Sequence, residues 1–511
     1  MPTTSRRQIV FLGLVLSLLA ALPQLQAQSD SASSAWERIV VDAGAAQHPF
    51  PHFWEQIFGS GRAILSLRED YRNDLRSVKR ITGFSYIRFH AILDDDVGVY
   101  DEDAQGHAIY NFSYVDQIYD GLLANGVRPY VEISFMPSKL AASDVRQAFW
   151  YHPNVSPPKD WTRWDDLIVA FTEHLVNRYG IDEVSQWYFE VWNEPNLDFW
   201  AGKPPQESYW DLYDHTALAI KKVDSRLRVG GPATAQAAWV DAMIRHCSEK
   251  HIPLDFVSTH VYANDTAEDV FHTEEKIPRD RMVCRAVSNV HDQIQASAMP
   301  NLPLIWSEFN ASYKNETDVT DSTYMGPWLA STIQRCDGLV DSMSYWTFSD
   351  VFEEQGVVKT PFYGGFGLIA EGGIPKPAYN AFKLLHALGD ERIALSSKSA
   401  LLTRRNDGTL VLAVWNYAPP GQGASAGSAK TFILQLKRTN AQRALISRVD
   451  HDHGDFHASY EKMGSPRYPT QAQIVRLRQA TDLAPPEEQQ ITNSQLEITV
   501  PAHGLAVIEL K

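Results

Sequence analysis

The sequence predicts an α/β fold: a (β/α)8 TIM barrel with an accessory β-sandwich. Three observations carry this prediction. Short apolar runs of strand character alternate with longer stretches of helical period between residues 51 and 389. Eight such runs occur, the number that closes a barrel of this kind. After about residue 390 strands follow one another without intervening helices. The 511 residues suffice for both parts: a barrel with insertions takes about 250–350 residues, and about 100 remain for a sandwich.

In chain order, residues 1–27 read as an export signal. Arg6 and Arg7 supply the charged start, residues 9–22 are apolar but too short to span a bilayer comfortably, and Leu25-Gln26-Ala27 offers a cleavage site. Ser5-Arg6-Arg7-Gln8 also resembles a twin-arginine signal. The expectation is an exported protein, periplasmic or secreted, with no membrane segment in its mature form. Residues 36–50 carry a strand that is expected to join the sandwich. The barrel (51–389) is expected to use strands at 53–58, 86–92, 128–135, 187–194, 228–234, 256–262, 303–310 and 342–349. Helical patterns separate them at 115–125, 161–179, 209–224 and 237–250, and 377–388 reads as the last barrel helix, opening on a proline. Residues 390–511 form the sandwich, with strands at 410–417, 431–436, 444–449, 495–500 and 505–510 and a Gly/Ala/Ser-rich loop at 419–429.

Composition narrows the function. Net charge is −16, which disfavours nucleic acid, anionic membrane surfaces and polyanionic glycans as partners. Three cysteines, Cys247, Cys284 and Cys336, make no disulfide framework and allow at most one bridge; their spacing fits no zinc site. Asp94-Asp95-Asp96 reads as a solvated loop, since no spaced ligand set accompanies it. Glu353-Glu354 also reads as polar loop. Gly364-Gly365-Phe366-Gly367 lacks the strand-to-helix setting of a phosphate loop.

In a barrel of this class the chemistry comes from the C-terminal ends of the strands. The fourth strand ends Trp192-Asn193-Glu194-Pro195 and the seventh ends Trp306-Ser307-Glu308-Phe309-Asn310. Each places a carboxylate at the same end of the barrel. Two such carboxyl groups can split a glycosidic bond: one attacks the anomeric carbon, and the other protonates the leaving oxygen and then deprotonates water. The Asn193 amide is placed to hold a sugar 2-hydroxyl, and Pro195 fixes the exit turn. Fourteen Trp, 21 Tyr and 22 Phe supply apolar faces of the kind a pyranose ring packs on, although core filling is the ordinary use of such residues. This chemistry calls for no metal and no organic cofactor. Asn310 begins an N-x-S/T triplet two residues past Glu308, where a glycan would block the site; an unglycosylated bacterial protein is the expectation.

The Trp192-Asn193-Glu194-Pro195 motif, with a second Glu ending strand seven, resembles glycosidase clan A. Phe-Gly-Ser-Gly-Arg (58–62), Ile-Arg-Phe-His (87–90), Phe-Glu-Val-Trp-Asn-Glu-Pro-Asn-Leu (189–197), Thr-His-Val-Tyr (259–262) and Trp-Ser-Glu-Phe-Asn (306–310) resemble glycoside hydrolase family 39. The resemblance spans residues 36–511. It implies a retaining mechanism with Glu194 as acid/base and Glu308 as nucleophile. His260 and Tyr262 end strand six, and one of them is expected to hydrogen-bond Glu308. Arg88 is expected to pair either with Glu308 or, lower in the barrel, with Glu190. His90 is placed to touch a sugar hydroxyl. Trp346 is the expected aromatic floor, and Glu354, Phe352 and Phe366 are expected pocket-lining residues.

The expected partner is a small neutral oligosaccharide, and the expected activity is that of an exo-β-1,4-xylosidase acting on xylo-oligosaccharides. Rival readings are an α-L-arabinosidase or α-L-iduronidase-like specificity, an endo-acting xylanase, and a non-catalytic carbohydrate-binding barrel. The two retained carboxylates and the intact Asn193 argue against the last.

Overall fold

The computed structural model describes residues 35–421 and 428–511. The export signal expected at 1–27 lies outside the described residues, as does most of the Gly/Ala/Ser-rich loop. Among the described residues no helix is long and apolar enough to cross a membrane.

Eight parallel strands close into a barrel: β1 (Ile57–Ser60), β2 (Tyr86–Phe89), β3 (Arg128–Ile133), β4 (Tyr188–Val191), β5 (Arg228–Thr234), β6 (Phe256–His260), β7 (Leu304–Phe309) and β8 (Ser342–Tyr345). Each pairs with its successor, and β8 returns to β1 through Ser344 opposite Ile57 and Tyr345 opposite Phe58. Side chains alternate between the barrel interior and the helix layer. Ile57, Tyr130, Phe256 and Ile305 form the interior floor, with Tyr86 and Tyr188 against them. Two residues further along their strands, Arg88, Glu132 and Glu190 form a charged layer with no exposed surface. The outward parity fills the shell between strands and helices with Phe58, Ile87, Val131, Phe189 and Trp306.

Helix boundaries follow local chemistry. Asp160 caps the helix Trp161–Tyr179 by accepting from the N–H groups of Thr162 and Arg163, and Gly180, at φ 81°, ends it. Pro205 opens Pro205–Val223, where its missing N–H is harmless. The helix expected from residue 237 starts only at Val240, because Gln236, Ala237 and Trp239 all have left-handed backbone. The first strand also begins later than expected. Phe53 and Trp54 are spent on a turn buried under the barrel, and pairing starts at Ile57. Cys284 and Cys336 form a disulfide that ties the helix Arg279–Gln295 to Met325–Cys336, and Cys247 is free and buried.

Beyond the barrel, a three-stranded sheet (Trp36–Asp42, Lys430–Lys437, Gln495–Val500) faces a seven-stranded one. Their facing residues, among them Val41, Phe432, Ile498, Leu412, Val414 and Ile508, make a second core. The strand Leu410–Asn416 is buried at every position. Leu410, Leu412 and Val414 face the small sheet, while Val411, Ala413 and Trp415 join the barrel core. Both faces are covered, so this strand reads as a continuous apolar run. One feature corrects the all-β expectation for this region: the helices His457–Lys462 and Gln471–Ala480 are inserted before the strand Glu487–Gln490. A capping box, Thr470 with Gln473, starts the second helix.

Candidate active site

The backbone past β4 is strained where the chemistry is expected. Trp192 (φ 71°) and Glu194 (φ 42°) occupy the left-handed region, at about 1–3 kcal/mol each. The Glu194 N–H donates to the carbonyl of Ala233, near the end of β5 (2.8 Å), which holds the turn at the barrel mouth. β7 reaches the same end by a different device. Its register against β8 slips between Trp306 and Phe309, and its pairing with β6 slips between Thr259 and His260. Such a bulge re-aims side chains. Ser307 and Glu308, consecutive in the chain, therefore both face the His260 ring.

Oxygens of Glu194 and Glu308 and a ring nitrogen of His260 all lie within 4.8 Å of one another. The two carboxyls sit in unequal surroundings. Glu308 Oε1 accepts from Arg88 (2.6 Å) and Oε2 from the Tyr262 hydroxyl (2.6 Å). Among the described residues, Glu194 Oε1 has its hydrogen bond with His260 Nδ1, at 3.0 Å. Burial raises the pKa of Glu308, but Arg88, His90 and the Tyr262 hydroxyl pull it back. Glu194 is raised well above the ordinary carboxylate range, first by burial and then by the charges of Glu308 and Asp265. His260 is pushed well down by burial and by Arg88, so it faces Glu194 as a neutral imidazole. Glu308 stays raised but less than Glu194, so of the two it gives up its proton first and Glu194 keeps its own. These three groups offer donors suited to a divalent cation, but Arg88 already neutralises Glu308, which disfavours a second positive charge there.

Of the two candidates for orienting Glu308, Tyr262 makes the hydrogen bond. His260 instead has Glu194 as its nearer carboxylate (3.0 Å), with Glu308 at 3.8 Å. Arg88 fills both offered roles. Its Nε donates to Glu190 (2.6 Å) and its terminal nitrogens reach Glu308, Glu132 (2.8 Å) and Asn193 Oδ1 (3.0 Å). Asn193 is thereby oriented, leaving its Nδ2 as the donor.

His90 Nδ1 contacts Glu132 (2.8 Å), and its Nε2 lies 3.5 Å from Glu354 Oε1. That oxygen is buried and makes no hydrogen bond among the described residues. Burial and the charges of Glu308 and Glu194 push Glu354 well up, favouring its protonated form.

Tyr262, Trp346, Phe352 and Phe366 pack together as an aromatic wall. Gly59 makes room for it: a Cβ there would lie 2.2 Å from the Trp346 ring. Asn310, fully buried, ties the wall from behind by donating to the carbonyls of Trp346 and Phe366. The glycine-rich segment has a structural job. Gly364 and Gly367 donate to Asp321 (2.6 Å) and Asp350 (2.7 Å), which both pair with buried Lys376, and Phe366 is carried between them. The solvated reading of Asp94 is corrected as well. Its side chain folds under the loop and accepts from the Asp96 N–H (3.3 Å), and burial raises its pKa to about 7. Glu353 is likewise no free loop residue, being paired with Arg62 and Arg68.

A cavity of about 290 Å³ opens at Glu194 and Glu308, with Leu197, Gln236, Asp265 and Tyr313 on its walls. Sequence reasoning missed these four. They lie in loops without periodicity, whereas Phe366, an expected loop residue, does line the cavity. Glu132 was missed too, although its inward parity with Tyr130, like that of Arg88 with Tyr86, could have found it.

Residues 37–494 match the profile of Glycosyl hydrolases family 39. The chain belongs to this family. A beta-xylosidase from Geobacillus stearothermophilus is 37% identical, over 93% of this chain and 95% of its own length. One from Caldicellulosiruptor saccharolyticus is 35% identical over 93% and 98%. The crystal structure of a monomeric beta-xylosidase from Caulobacter crescentus superposes with a TM-score of 0.83 at 35% identity, over 93% of this chain and 99% of that one. A bacterial orthologue of human α-L-iduronidase shares the fold (TM-score 0.72) at 19% identity, over 93% of this chain and 83% of that one. In this family 39 hydrolase the charged layer, the strained β4 exit and the β7 bulge together deliver one ionised and one protonated carboxyl to a single cavity.

Proposed function

We propose that this hydrolase is a retaining, exo-acting β-xylosidase that releases xylose from the non-reducing ends of xylo-oligosaccharides. The observation that carries the mechanism is the close, unequal pair Glu194 and Glu308, with oxygens within 4.8 Å. Retaining enzymes hold their carboxyl groups about 5–5.5 Å apart, and inverting ones need about 6.5–9.5 Å to admit a water. The sugar is supported by the beta-xylosidases at 35–37% identity over nine-tenths of the chain.

Glu308 attacks C1 of the bound xyloside while Glu194 gives its proton to the departing glycosidic oxygen. A covalent glycosyl–Glu308 ester forms and the aglycone leaves. Esterification removes the charge of Glu308, so the pKa of Glu194 falls and it can act as a base. Glu194 then takes a proton from water, the hydroxyl adds to C1, and Glu308 departs as carboxylate. Asn193 holds the 2-hydroxyl, His90 and Glu354 take hydroxyls at the closed end, and Trp346 underlies the ring.

A proton NMR time course with 4-nitrophenyl β-D-xyloside tests this. The expected first product is β-xylose; α-xylose appearing first would mean inversion and would remove Glu308 as nucleophile. Glu308→Ala should abolish turnover. Glu194→Ala should spare the first step on a good leaving group and slow deglycosylation. Wild-type rates in both variants would sink the assignment.

We further propose that the protein is exported, on the strength of Arg6, Arg7, the apolar run at 9–22 and the Leu25-Gln26-Ala27 site. The Cys284–Cys336 bridge suits an oxidising compartment.

A further inference from the structure

One side chain joins four loops at the C-terminal end of the barrel, near His90. Arg62 lies two residues past β1. Its Nε donates to Asp96, in the loop after β2 (2.9 Å), and a terminal nitrogen donates to Glu353, in the loop after β8 (3.3 Å). Its guanidinium carbon stands 4.6 Å from the ring centre of Tyr151 and 6.0 Å from that of Trp150, both in the loop after β3. The side chain is only 10% exposed, so these contacts are little screened.

What this joint holds is the ceiling over His90. The Trp150 N–H donates to the Glu354 carbonyl (2.8 Å), linking the loops after β3 and β8 directly. Glu354 presents its carboxyl 3.5 Å from His90 Nε2, and the Phe149 ring stacks 6.2 Å from the His90 ring. Glu194 stands just past β4, and the cavity opens on its side, with Leu197 and Tyr313 on its walls. The proton donor marks the side on which the leaving group departs. The stapled loops therefore close the opposite end, beyond the sugar that is being released.

We infer that Arg62 is a positioning residue that shuts the glycone end of the pocket and so dictates cleavage one sugar from the chain end. The inference rests on the proposed exo-β-xylosidase reading and names the device that enforces it. A planar guanidinium suits the task, because it can stack on Tyr151 while its edges reach two carboxylates in different loops. A lysine ammonium offers one charge and no flat face.

The bond chosen in 4-nitrophenyl β-D-xylobioside reads this out, by chromatography of the first products. Wild type should release xylose and leave 4-nitrophenyl xyloside. Arg62→Ala should admit a second sugar past the loosened loops and release xylobiose with nitrophenol, with first-cut xylobiose rising about tenfold or more. Arg62→Lys and Glu353→Gln, milder losses at the same joint, should raise it less. Thermal unfolding checks that each variant is folded; a general structural loss would lower all rates without moving the bond cut. Xylose as the sole first-cut sugar from every folded variant would overturn the inference. Wild type that itself releases xylobiose, or leaves aryl xylosides intact, would overturn the exo reading beneath it.

Discussion

Arg88 has no exposed surface, and Glu132, Glu190, Asn193 and Glu308 all converge on its guanidinium. A buried cation needs such a set, since charge in a low dielectric is tolerated only when paired and hydrogen-bonded. Besides Arg88, the short contact on Glu308 is the hydrogen bond from the Tyr262 hydroxyl to Oε2 (2.6 Å). That hydrogen bond favours the carboxylate and holds its pKa down against burial. Tyr262→Phe removes it, so the Glu308 pKa should rise. Activity that needs ionised Glu308 would then be lost at a higher pH on the acid side. The pH profile of kcat/KM for Tyr262→Phe should show its acid limb moved up and its basic limb, set by Glu194, nearly in place. An unmoved acid limb would mean that Tyr262 does not tune Glu308.

Strand ends, more than strands, differ from what periodicity alone suggests. β5 and the helix Trp161–Tyr179 fall on the expected residues, because each has a sharp local signal at both ends. The bulge in β7 and the left-handed residues after β4 leave no trace in hydrophobic period, yet they aim Ser307, Glu308 and Glu194. The Phe58-Gly59-Ser60-Gly61-Arg62 segment shows the same dependence on close approach. Gly59 lets the Trp346 indole lie against β1. Gly59→Ala should displace that ring, at about 1–3 kcal/mol of stability from overpacking. A platform moved by an ångström should lower kcat/KM about a hundredfold. Calorimetry and steady-state rates on the aryl xyloside measure both, and a variant as stable and active as wild type would refute Trp346 as the floor.

Across the whole molecule the seven-stranded sheet is shared property. One face belongs to the sandwich core and the other lies in the barrel core, which joins the two parts without a linker. Under the barrel, buried Glu55 adds a polar bolt, its Oε1 contacted by Nδ1 of His52 (2.8 Å) and His386 (2.7 Å). The formal net charge of −16 disfavours polyanionic glycans as substrates. Export should leave a mature chain starting after Ala27. N-terminal sequencing of the protein recovered from the periplasm or medium checks this, and recovery of the uncleaved chain in the cytoplasm alone would refute it.

Fold class, the count of eight strands, the second β-rich unit and the two carboxylates were all legible in the chain. Each is written in short-range pattern: alternation, helical period, caps, and residue types where strands stop. Which groups touch was not. Tyr262 rather than His260 holds Glu308, Asp94 is buried rather than solvated, and Arg62 joins loops that are nearly 300 residues apart in the chain. Two inserted helices interrupt what reads as continuous β-structure. These outcomes depend on bulges, loop packing and the burial of charge. All three are settled only when distant segments meet, because a side chain's partner and its dielectric surroundings are properties of the packed molecule.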